Sequence, residues 1–235
     1  MATCDTPDLG RIKAVALFLL DDCMSPIYGT AAGYIDDCPA GIETDDNIDD
    51  GEDFTRRCAD GSIKRYLPGV QSLQGIEVNV DFHWLDPEFV ALANGASPIY
   101  FDGEVVGWSD GTQDRFNVLV AVVQEILGGD VCAGDDPGCN NYWRLYPLKG
   151  ARMTEDGDIG SEDNVIRISG NTVDTAQLGS GPIEMFCDAL TGEAAWADTC
   201  FPSGQHRYRF IGGPYPTDCG IIDTVEPPAP CTPAS

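Results

Sequence analysis

The sequence predicts a mainly β chain with one short helix, and three observations carry that prediction. Ile76, Val78, Val80 and Phe82 alternate with Glu77, Asn79, Asp81 and His83, and successive side chains of a strand point to opposite faces. The longest apolar run, FNVLVAVVQEIL, lies within Gln113 to Leu127. Its β-branched density and lack of a polar stripe favour a buried strand over a helix. Clusters of Gly, Pro, Asp and Asn punctuate the chain between such runs.

With 235 residues and 43% hydrophobic content, the chain can bury the core of one large β domain or two small ones. The formal net charge is −26. This argues against nucleic-acid binding through phosphates, which needs Lys and Arg, and against anionic membranes. It fits either plain solubility or a surface that repels a polyanion. No apolar run reaches the roughly 18 residues of a membrane span. Ala14 to Leu20 follows Arg11 and Lys13 but has no small-residue cleavage site after it, so it reads as a buried strand and not a signal peptide. Ten cysteines is high for a cytosolic protein and points to some disulfide pairing. Cys132 and Cys139 bracket the turn-rich AGDDPG and are the favoured couple. With no C-x-x-C and two distant histidines, a structural zinc site is not supported.

In chain order, Arg11 to Leu20 is an apolar first strand covered on both faces. Asp21 to Gly41 reads as loop. Ile42 to Arg57 reads as two strands around an acidic turn at Asp49 to Gly51, with little apolar face. Cys58 to Gln71 reads as loop. The alternating strand 76–82 then feeds a helix. Asp86 suits the N-cap, Pro87 the first helical position and Glu88 the first turn. Leu85 and Val90 are spaced for a hydrophobic staple. Phe89, Leu92 and Ala93 form the packing stripe, and Asn94-Gly95 ends the helix. Ala96 to Gly103 reads as loop and Val105 to Trp108 as a short strand. After the long strand ending at Leu127, Tyr142 to Lys149 is a strand in which Pro147 marks an edge or bulge. Ala151 to Gly170 is a hairpin, Gly179 to Pro182 a break, and His206 to Ile211 a last strand. Residues 1–225 form one domain and 226–235 a Pro-rich flexible tail.

Few residues group into chemistry. Asp156, Asp158, Ser161, Glu162 and Asp163 are close in sequence, but a calcium loop of the EF-hand type needs Gly and Glu where Ser161 and Arg167 stand. The run Asp45 to Asp53 fails likewise at Asp50. With 39 acids, no single carboxylate pair is diagnostic of glycoside hydrolysis. His83 and His206 have no nucleophile signature beside them. Trp84, Trp108, Trp143 and Trp196 fit a sugar groove or, by default, core and interface packing. No catalytic residue, metal site or cofactor is expected.

The order of these features resembles the major tail tube proteins of long-tailed bacteriophages, particularly those infecting actinobacteria. The resemblance rests on GIEVNVDFHWLDPEFVALANG, DGEVVGW, the long apolar strand, YWRLYPLKGARMTEDGDIGSEDNVIRISGNT and the Gly-Ser-Gly-Pro break. It implies a β-sandwich or partial barrel with a flanking helix, whose inner sheet completes a barrel when six copies form a ring. Rings would stack into a tube in the virion tail, assembled in the host cytoplasm. The implied partners are further copies of the chain, tail-end proteins at the tube termini, and DNA crossing the lumen without specific binding. Asp21 to Gly41 and Cys58 to Gln71 would then make contacts between rings. The polar face of the alternating strand carries no compensating Lys or Arg and must face outward or into the lumen; Glu77, Asn79 and Asp81 are expected to line the lumen. Two other classes stay open: a secreted disulfide-rich β-sandwich binding carbohydrate or calcium, and a glycoside hydrolase.

Overall fold

The structure, a computed structural model, describes residues 8–29, 32–57, 63–67, 69–109, 115–127, 141–156, 164–187, 193–213 and 220–222. They form the strands β1 (Asp8–Leu20), β2 (Gly33–Asp36), β3 (Gly41–Asp49), β4 (Phe54–Arg57), β5 (Ile63–Leu67) and β6 (Ser72–Phe82), then the helix α1 (Pro87–Asn94). After it come β7 (Pro98–Phe101), β8 (Glu104–Trp108), β9 (Phe116–Leu127), β10 (Asn141–Asp156) and β11 (Val165–Thr172), followed by β12 (Phe186–Cys187), β13 (Ala194–Ala195), β14 (Tyr208–Gly212) and β15 (Gly220–Ile222). The main sheet runs β15-β2-β1-β9-β10-β11-β6-β3, with β14 also paired to β10. Its pairings are antiparallel.

Each face of the central strands is covered. On β1, Val15, Leu17 and Leu19 enter one core, and Ala14, Ala16, Phe18 and Leu20 enter the other. The first core also holds Ile76, Val78, Val80 and Phe82 of β6 together with Phe89, Val90 and Ala93 of α1. Tyr34 of β2 packs on Phe82 and Phe89, with ring centres 6.2 and 5.6 Å apart, and its hydroxyl donates to the Trp84 carbonyl at 3.1 Å. Strands from opposite ends of the sheet order thus meet around α1. The second core is closed by Ala176, Leu178, Met185 and Tyr208, with Phe186 stacked on Phe210 at 4.7 Å.

The helix forms as its sequence dictates. The Asp86 carboxylate accepts from the Glu88 amide at 2.8 Å, and Gly95 closes the helix at φ 61°. Leu85 and Val90 are fully buried, as a staple requires. Leu92 departs from the expected packing stripe and stays half exposed. At about 100° per residue it falls roughly 60° beyond the edge of the arc shared by Phe89, Val90 and Ala93.

Several loops expected from sequence contain strands: β2, β5 and β7. β15 follows the strand expected to be last. The larger correction concerns residues 42–57. β3 and β4 do not turn back on each other; β3 pairs with β6 and β4 with β5. The acidic segment between them continues the ribbon instead of reversing it. Asp53 accepts from the Gly69 amide and Asp50 from the Gln71 amide group, both at 2.7 Å. Gly51, at φ +70°, lies so close to the partner strand that a Cβ would stand 2.8 Å from the Val70 carbonyl. β3–β4 and β5–β6 therefore make one long ribbon pinched at Gly51 and Gly69.

Pro147 sits inside β10, opposite Leu119 of β9. On the other flank β10 changes partner, from β14 up to Leu145 to β11 from Leu148. A bulge follows at once, with shifted register on both sides of Gly150 and φ +64° there. The sequence expectation of an edge or bulge meets a switch of strand partners.

Candidate assembly surface

Three surface features stand out. The first is the polar face of the ribbon. Register places Glu43 opposite Asn79, Asp45 opposite Glu77 and Gly41 opposite Asp81. On the far side of β6, Ser169 faces Asn79 and Arg167 faces Asp81. Arg167 grips Asp81 with two bonds, Nε to Oδ1 at 2.7 Å and Nη2 to Oδ2 at 2.9 Å. The expectation that this face has no compensating cation therefore fails at Asp81, because the neighbouring strand supplies one that an inspection of β6 alone does not show. Asn79 is half-buried. Glu77, Glu43 and Asp45 are exposed, and among the described residues no cation pairs with them. Asp45 and Glu77 are then like charges directly opposite, a destabilising cross-strand arrangement.

The second feature is the edge itself. β3 is hydrogen-bonded to β6 along one side and ends the sheet order, and every residue from Glu43 to Asp49 is exposed. Asp46 is tied back by Arg207 at 3.3 Å.

The third is a set of exposed apolar side chains on α1 and the elements beside it. The hairpin β7–β8 packs beside this helix and exposes Ile99, Tyr100, Val106 and Phe101, the last at 74%. Leu92 and Trp84 are exposed as well, with Trp84 60% exposed and tilted against Trp108 at 6.5 Å. Trp143, by contrast, is fully buried and donates its indole N–H to the Gly213 carbonyl at 3.2 Å. Ala96 to Gly103, which the sequence predicts as loop, holds β7 and three of these exposed side chains. The apolar run Ile99-Tyr100-Phe101 was its one available signal.

Chemistry is sparse elsewhere. Among the described residues no group of three or more His, Cys, Asp or Glu could hold a metal. His206 shares a hydrogen bond at 3.2 Å with Thr172, whose hydroxyl also accepts from the Ile76 amide at 2.9 Å, so this histidine braces β11 against β6. An open groove lies between 174–179 and 200–204, lined by Gln177, Ser203 and Phe201 with Asp174 as its charged residue. Burial pushes the Tyr28 and Tyr208 hydroxyls above their ordinary value. Cys200 is disulfide-bonded, while Cys23 and Cys38 are free and exposed. Cys132 and Cys139, the acidic stretch from Asp158 to Asp163 and the tail 226–235 lie outside the described residues.

No helix among the described residues is long and apolar enough to cross a membrane. No protein-family model matches the chain, and no curated protein matches it.

Proposed function

We propose that this chain is a structural subunit that assembles with copies of itself, in the manner of the phage tail tube proteins its sequence resembles. In that reading the curled sheet and α1 form the tail-tube sandwich, six copies join into a ring whose inner sheets complete a barrel, and stacked rings conduct DNA. The observation that carries the reading is the number of exposed apolar side chains on α1, β7 and β8. Large exposed apolar area marks an interaction site, and a chain with a net charge of −26 has no general need for it. The open β3 edge adds support, since an unpaired strand is a hazard in a monomer and a joint in a polymer. The acidic balance suits a conduit that must not retain a polyanion.

Sedimentation velocity of the purified chain tests this. Assembly predicts species far heavier than the 25.2 kDa monomer, growing with concentration. A monomer at every concentration and salt would remove the reading.

The aromatic pair Trp84–Trp108 and the disulfide at Cys200 favour one alternative, a secreted β-sandwich that stacks a sugar ring on exposed tryptophan. A sugar-dependent rise in melting temperature without any assembly would select it.

A further inference from the structure

Among the described side chains two like-charge pairs stand directly opposed, and they are of opposite sign. Asp45 of β3 stands opposite Glu77 of β6, and Arg144 of β10 stands opposite Arg209 of β14. Like charges directly opposite each other on paired strands are destabilising. Asp45, Glu77 and the neighbouring Glu43 are exposed, and no described cation pairs with them. Arg209 is exposed as well. Arg144 is half-buried. Its guanidinium lies over the Tyr142 ring, 5.5 Å from the centre, and its buried Nε has no hydrogen-bond partner. Among the described residues neither arginine pairs with an acid, although the chain holds 39 acids against 13 Lys and Arg.

One copy of the chain does not bring the two pairs together, because they lie on opposite faces of the main sheet. Arg144 is the register partner of Val122, which enters the first core, so Arg144 and Arg209 share the first-core face. Tyr208 and Phe210 pack into the second core on either side of Arg209, as alternation along β14 requires. Glu77 lies between Ile76 and Val78, which enter the first core, so it points to the other face, with Asp45 opposite and Glu43 two residues along. Within one chain β3 meets the start of β14 through Asp46, which bonds Arg207 at 3.3 Å. Asp45, the next residue, is turned away from that meeting. Screening at physiological salt removes most attraction between exposed charges beyond about 8 Å, so an acid must reach Arg209 directly to relieve it.

We propose that the Arg144–Arg209 pair of one copy docks on the Glu43–Asp45–Glu77 patch of the next. The inference rests on the self-assembly reading and names a contact that orients it. A net charge of −26 makes two copies repel in most orientations, and this one sets a basic pair against an acidic pair. Each copy offers one patch of each sign, which makes the contact head-to-tail, the kind that closes a ring when the rotation permits and propagates otherwise. It also puts Glu77 at a contact between subunits and not on the wall of a channel.

Two full-length variants test this by sedimentation velocity at physiological salt. One is Arg209→Glu; the other is Asp45→Lys with Glu77→Lys. Each alone should lose assembly by about tenfold or more, because like charge now meets like charge. The second variant also lowers the net negative charge, so general repulsion between copies predicts that it assembles better, whereas the docking predicts that it assembles worse. Mixed in equal amounts the two variants should assemble again, since each one's reversed patch fits the other's. Misfolded variants could not rescue each other, so the mixture keeps the test decisive. Assembly of either variant at the wild-type level, or a mixture no better than its parts, overturns the docking while leaving self-assembly standing. A wild-type chain that never assembles overturns both.

Discussion

Asp86 is the residue whose role is most directly testable, because its single hydrogen bond to the Glu88 amide holds the start of the helix. Asp86→Ala should cost about 1 kcal/mol of unfolding free energy in a urea titration. Phe89→Ala, at a fully buried position, should cost about 3–5 kcal/mol. Leu92→Ala should cost well under either, since Leu92 is half exposed. A large loss at Leu92 with little at Phe89 would mean that the helix faces the other way. The cap and staple were legible because they depend on residues within one helical turn. The Leu92 face was not, because which side of a short helix meets the sheet is decided by distant strands. Tyr208 gives a pH prediction. Its hydroxyl donates to the Pro202 carbonyl at 2.9 Å, and burial raises its pKa above the ordinary 10.0. The unfolded chain then releases this proton first as pH rises, so the folded state binds more protons and stability falls from about pH 10 upward. Tyr208→Phe should flatten that decline, as read from urea midpoints at about pH 9 and about pH 11. An unchanged slope would mean the hydroxyl is not held in the folded state.

Among the elements, the ribbon separates what sequence reveals from what it hides. β1, β6 and β9 were readable because their apolar runs or alternation exceed the length at which helix and strand patterns diverge. β2, β5, β7 and β15 have three to five residues and owe their existence to partners far along the chain. The same holds for the Asp81–Arg167 pair, which joins strands 86 residues apart. A turn at Asp49 to Gly51 was a fair local expectation, but the segment runs on along the ribbon, where Gly51 and Gly69 let two backbones come close. At Gly69 an added Cβ would lie 2.7 Å from the Asp50 carbonyl, an atom that cannot yield cheaply. Gly69→Ala should therefore loosen the arm and spare the core. Hydrogen exchange should quicken across 54–57 and 63–67 and stay slow in β1 and β9. Fast exchange throughout would show that the pinch supports the whole fold.

For the whole molecule, the sheet holds two buried cores, while the β3 edge and the apolar side chains on α1, β7 and β8 are exposed. Thiol chemistry bears on the compartment. Alkylation without reductant should label Cys23 and Cys38, which are free and exposed, and should not label Cys200, which is disulfide-bonded. Ten labelled cysteines would place the chain in a reducing setting and remove the disulfide from the account. The central claim is that these surfaces are complementary to other copies of the chain. Electron microscopy of the purified protein at low salt tests it most directly. The account predicts hollow tubes or stacked rings of one uniform width, and a field of isolated particles at every concentration would contradict it.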